Sequence, residues 1–117
     1  MLLTGKPLIK LVYVAGPYTA KTQALRCADE INRMGAGRVL AIVPHFLSCG
    51  ISNSGTEEFW HAATLELMER CDGVCRVRGW MTSKGAEQEY RRALEIGLPV
   101  AMTIEELPKL MRQMETS

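Results

Sequence analysis

At 117 residues and 13.0 kDa the chain is the size of one domain, residues 1–117, with room for a real core and none for a second. Apolar residues make up 47% and charged residues 23%, and the net charge of +1 gives no electrostatic footprint for a nucleic acid polymer, though it leaves a small anionic ligand open. No run of about 18 apolar residues exists to span a membrane, and Met1 to Pro7 lacks the apolar segment of a secretory signal.

Cys27, Cys49, Cys71 and Cys75 show no C-x-x-C spacing and no nearby histidine, so reduced, buried thiols of a cytoplasmic protein are expected, with no metal site and no cofactor.

The first strand is expected over Leu8 to Ala15, where β-branched and aromatic residues run almost unbroken, as in a central strand covered on both faces. It stops at Gly16-Pro17-Tyr18-Thr19, a sharp turn in which Thr19 can cap the helix that follows. That helix is expected from Ala20 to Met34, with Ala24, Cys27, Ala28, Ile31 and Met34 inward and Gly35 as its stop. A strand entering a helix through a glycine turn points backbone N–H groups at whatever lies above it. The turn at Gly16 and Pro17 therefore reads either as a cradle for a phosphate or sugar hydroxyl or as a connection that had to be tight. It is not a P-loop, because Ala20 precedes Lys21 and the glycine spacing is one short.

Arg38 to Val43 reads as the second strand, ended by Pro44. Pro44 to Thr56 is one long irregular segment, of a length that is usually functional or disordered and with a composition that suits a ligand wall or a subunit contact, and His45 stands just past the strand end. Thr56 caps a helix with Glu57 and Glu58 in its first turn and Trp60, Ala63, Thr64, Leu67 and Met68 at helical spacing. Trp60 and His61 read as core and rim, and Asp72 as a turn residue at the opposite end of the sheet. Gly73 to Val77 makes a third strand and Val100 to Met102 a fourth. Between them a helix capped by Ser83 runs to Gly97-Leu98-Pro99, and Ile104 to Met114 forms the last helix. Strand and helix alternate throughout, which predicts an α/β single-domain doubly wound (flavodoxin/Rossmann-like) parallel sheet of four to five strands with helices on both faces. Gly16, Pro17, Tyr18, His45 and the stretch from Gly79 to Glu89 then converge beyond the strand C-termini.

Within that stretch Glu89 shares a helix face with Ala86, Tyr90, Ala93 and Ile96. Glu87 has Arg91 four residues on and an ordinary surface role, whereas Glu89 has Gly85 and Ala93 at that spacing and no partner in its own helix. A carboxylate there needs a polar group from another segment, a cavity with water or ligand, or a raised pKa.

The motif Ser83-x-Gly85-x-x-x-Glu89-x-x-x-Ala93 is preceded by Cys71-Asp72-Gly73 and Gly79-Trp80. With Val12-Tyr13-Val14-Ala15-Gly16-Pro17-Tyr18, it resembles the nucleoside 2-deoxyribosyltransferase-like superfamily, in particular a small bacterial and phage branch related to the nucleoside 5′-monophosphate N-glycosidases. The resemblance implies that Glu89 is the nucleophile on the anomeric carbon and that Tyr18 positions it. It further implies that Ser83 lies where a 5′-phosphate is held and that Gly16, Pro17, His45, Gly79, Trp80 and Gly85 surround a nucleoside or nucleotide. It also implies a homo-oligomer, dimer or tetramer. The helix N-terminus is expected to keep Glu89 ionised, and Arg78 and Lys84 either favour a phosphate or are solvated surface charges.

One departure is plain: Val77 to Thr82 contains no acid to protonate the departing base, as the transferases have. Either His45, Asp72 or a neighbouring subunit supplies the proton, or the base leaves by another route, or the site binds nucleotides without cleaving them. A non-catalytic nucleotide-binding or sensing module is therefore the alternative to an N-glycosyl hydrolase or pentosyltransferase. An assembly protein that keeps only the fold is a third reading.

Overall fold

A computed structural model describes residues 9–17, 19–46, 55–77 and 84–115. Four strands, β1 (Lys10–Ala15), β2 (Val39–Ile42), β3 (Gly73–Arg76) and β4 (Val100–Ala101), form one parallel sheet in the order β2-β1-β3-β4. The connecting helices are α1 (Lys21–Gly35), α2 (Glu57–Glu69) and α3 (Lys84–Ile96), and α4 (Leu107–Glu115) closes the chain. This is the Rossmann-like architecture expected from the alternation of strand and helix. None of the described helices is long and apolar enough to cross a membrane.

Strand alternation divides the core in two. Val12, Val14 and Cys75 point to one face and pack with Cys27 and Ile31 of α1 and Leu107, Leu110 and Met114 of α4. Tyr13, Ala15 and Val74 point to the other and pack with Met68 of α2, Cys71 and Ala93 of α3. Gly73 lets α4 come close, since a Cβ there would stand 2.9 Å from the Met114 Sδ.

Four local expectations are corrected. Thr19 does not cap α1: the N-cap is Ala20, without a side-chain cap, and the turn is closed by Ala20 N–H donating to the Pro17 carbonyl at 2.9 Å. Gly35 does not stop α1 but is its last residue, bare because a Cβ would lie 2.5 Å from Val39 Cβ. Ala36 makes the left-handed exit at φ 47°. The last helix is split into a 3₁₀ turn, Ile104–Glu106, and α4, because Pro108 has no N–H to give the Ile104 carbonyl. Elsewhere Thr56 caps α2 as expected, its hydroxyl accepting from Phe59 N–H at 3.0 Å, and Glu87 pairs with Arg91 at 2.6 Å. Ile96, placed on the inner face of α3, is exposed.

Candidate functional site

In the order β2-β1-β3-β4 the chain changes direction of winding between β1 and β3, the place where an open parallel sheet leaves a crevice beyond its C-terminal strand ends. A cavity of about 460 Å³ lies there. It is lined by Tyr13 and Gly16 of β1 and its turn, Pro44 and His45 after β2, and Gly85, Ala86 and Glu89 of α3. Glu57, Trp60, His61 and Thr64 of α2 complete the lining.

Glu89 is 7% exposed, and the Tyr13 hydroxyl donates a hydrogen bond to its Oε2. Burial pushes the Glu89 carboxyl pKa up to about 7, and the bond from Tyr13 pulls it back by less. The expectation that the helix N-terminus keeps Glu89 ionised is thereby corrected. Glu89 lies in the second turn of α3, past the reach of the terminal dipole, and loss of solvent prevails. Burial, with Glu89 beside it, raises the Tyr13 phenol far above its ordinary range, so it remains a neutral donor; a hydrogen bond with the Thr64 side chain acts weakly the other way. The one proton of the Thr64 hydroxyl is shared between Tyr13 and the His61 carbonyl, 3.1 Å away in the same helix, and it is the contact with Tyr13 that ties α2 to the network.

Of the residues expected at the site, Gly16, His45, Gly85 and Glu89 line the cavity. Pro17 makes the turn into α1 through its carbonyl. Tyr18, Gly79, Trp80 and Ser83 lie outside the described residues. Gly16 has a packing reason of its own, because a Cβ there would fall 2.0 Å from Val77 Cγ2. His45 is buried against the β1–α1 turn, and burial holds its pKa below the usual histidine value despite the opposing pull of the Pro17 and Gly16 backbone. Asp72 is far from the cavity and occupied: its Oδ2 accepts from Leu11 N–H at 2.8 Å while its own N–H donates to the Leu11 carbonyl at 2.7 Å. It holds the N-terminal ends of β1 and β3 together and is removed as a proton source.

Sequence reasoning missed Tyr13 and the α2 wall. Tyr13 was hidden inside an apolar run, although its alternation with Val12 and Val14 already put its hydroxyl on one face with no partner in the strand. The signal on α2 was the spacing of Glu57, Trp60, His61 and Thr64, which is that of a single helix face. At the end of β3 a further charge is buried: Arg76 lies over the Tyr90 ring at 4.7 Å, and burial lowers its pKa.

No curated protein matches the chain significantly. Over residues 10–102, nearly the whole span of sheet and cavity, the chain matches one family model and belongs to that family, described as Domain of unknown function (DUF4406).

Proposed function

We propose that this protein breaks or exchanges the N-glycosidic bond of a nucleoside or nucleoside 5′-monophosphate, as an N-glycosidase or deoxyribosyltransferase with Glu89 as nucleophile. The observation that carries this reading is a carboxylate buried in the wall of a 460 Å³ cavity, oriented by a phenol that stays protonated. The motif from Ser83 to Ala93, similar to that of the nucleoside 2-deoxyribosyltransferase-like superfamily, points the same way.

In the first displacement a Glu89 oxygen bonds to the anomeric carbon while the carbon–nitrogen bond breaks; the base leaves with that electron pair and takes up a proton. In the second, water or another base attacks the glycosyl ester from the opposite side, gives up a proton, and frees the Glu89 carboxylate with net retention. Tyr13 holds one carboxylate oxygen so that the other is free to attack. With Asp72 engaged elsewhere, the side chains among the described residues that line the cavity beside Glu89 and can give a proton to the departing base are His45 and His61.

The substrate is a small nucleoside or nucleotide, the compartment the cytoplasm, where Cys27, Cys71 and Cys75 remain free thiols, and the assembly a dimer or tetramer, which light scattering checks. Incubation with deoxynucleosides and their monophosphates, followed by chromatography, is expected to release free base from at least one of them. Glu89→Gln should cut that release by about a thousandfold or more. Equal release by wild type and variant, or none from any substrate, overturns catalysis. A second reading, a non-catalytic nucleotide sensor, is favoured by the Glu89 pKa of about 7, which leaves much of the nucleophile protonated at neutral pH. It predicts ligand-dependent thermal stabilisation that survives Glu89→Gln, without turnover.

A further inference from the structure

We propose that α2 is the base-reading wall of this cavity: the base packs against Trp60, and Glu57 accepts hydrogen bonds from an amino group on its far edge. The orientation rests on the sugar-attack reading, which puts the anomeric carbon at Glu89 and the base across the cavity from it. Glu57, Trp60, His61 and Thr64 stand at offsets of three, four and seven and share one helix face, and all four line the cavity. The face has a deep end and an outer end. Thr64 meets Tyr13, the partner of Glu89, and Glu57 is exposed in the first turn, about 10 Å along the axis at the usual rise per residue. That span suits a planar heterocycle whose glycosidic nitrogen faces Glu89 and whose opposite edge faces Glu57.

Two details favour recognition over a solvated surface. Trp60 is half-buried and braced edge-on by the Phe59 ring at 5.3 Å and 74°, so a flat aromatic body sits halfway along the wall. Glu66, Glu69 and Glu87 pair with Arg70, Arg92 and Arg91 at 3.0, 3.3 and 2.6 Å. Glu57, by contrast, forms no ion pair or side-chain hydrogen bond among the described residues. Its carboxylate is acceptor-only, which suits an amino group and disfavours a carbonyl at the same edge.

The test is calorimetric titration of the intact protein with free bases in two pairs matched for ring size, adenine with hypoxanthine and cytosine with uracil. Wild type should bind the amino member about tenfold more tightly in at least one pair, the size of one good hydrogen bond. Glu57→Ala should erase that preference by weakening the amino base and leaving the oxo base unchanged. Trp60→Leu should weaken both members and Trp60→Phe restore them. No base bound by wild type, matched pairs bound alike, or both members weakened equally by Glu57→Ala overturns the proposal. Running the base-release assay in parallel separates the two readings: selectivity without release removes the sugar chemistry and keeps the wall, and release without selectivity removes the wall alone.

Discussion

On the face of the sheet covered by α1 and α4, the strands send inward Val12, Val14 and Cys75, which close on Cys27, Ile31, Leu107, Leu110 and Met114, none more than 2% exposed. On the face covered by α2 and α3, the same strands send Tyr13, Ala15, Val74 and Arg76. There the inward residues of α3 are Ala86, Glu89 and Ala93, two of them too small to fill the space over the sheet. The first face is filled with bulk and excludes water. The second is underfilled at its C-terminal end, and the volume left over is the cavity. The Glu89 pKa of about 7 and the cavity thus share a cause: small neighbours leave room for a ligand while supplying nothing that would stabilise the charge.

The sharpest way to break this contrast is to remove bulk from each face in turn. Leu110→Ala on the filled face should cost about 3 kcal/mol, because the hole cannot collapse and stays dry. Thr64→Ala, on the cavity wall, should cost less than about 1 kcal/mol, since the space beside it already exists. Urea unfolding of both variants reads this directly, and equal losses would show that the two faces are packed alike.

A second test concerns the charge that the open face carries. The folded-state pKa of Glu89 is raised from 4.5 to about 7, so its protonated form is the one the fold favours. The stabilisation is complete below pH 4.5 and is lost as pH rises to about 7, beyond which the wild type carries a constant penalty. Glu89→Gln removes the titration. Relative to wild type it should gain about 3 kcal/mol between pH 4 and pH 8. A flat difference across that range would mean that the carboxylate is well solvated.

Smaller, but closer to the chemistry, is the bond from Tyr13. If Glu89 attacks as proposed, it must be ionised, so kcat/KM should rise with pH along a limb centred near 7. Tyr13→Phe deletes the donor that favours the ionised form, so the limb should move to higher pH by up to about one unit. A limb that stays in place would leave Tyr13 as a packing residue and return the positioning role to Tyr18.

The layout of the fold was readable because each element carries its own period: the apolar run of β1, the helical stripe of α1 and the glycine and proline breaks between them are local signals. Glu89 was readable for the same reason, as an acid on a helix face with no partner in reach of its own helix. Its protonation was not, because that depends on how much bulk three other segments bring to it. Tyr13 and the α2 wall depend on which strand lies beneath which helix, and no window of sequence contains that. The misreading of Gly35 is of the same kind: a glycine near a helix end has two explanations, an exit or a close approach, and only the position of Val39 decides between them.

That last pair gives the finest test, at the end of the helix that covers the filled face. Ala36 sits at φ 47° and ψ 48°, a left-handed exit that an L side chain enters at a cost of about 1 kcal/mol. Ala36→Gly relieves that strain but gives the unfolded chain more freedom, so a net gain of roughly 0.5 kcal/mol is expected. Gly35→Ala should have the opposite sign, because its new Cβ meets Val39 Cβ at 2.5 Å and either α1 or β2 must shift. Thermal melts of the two single variants read the sign of each. Stabilisation by Gly35→Ala would place the exit one residue earlier and detach α1 from β2, and with it the claim that this face has no room to spare.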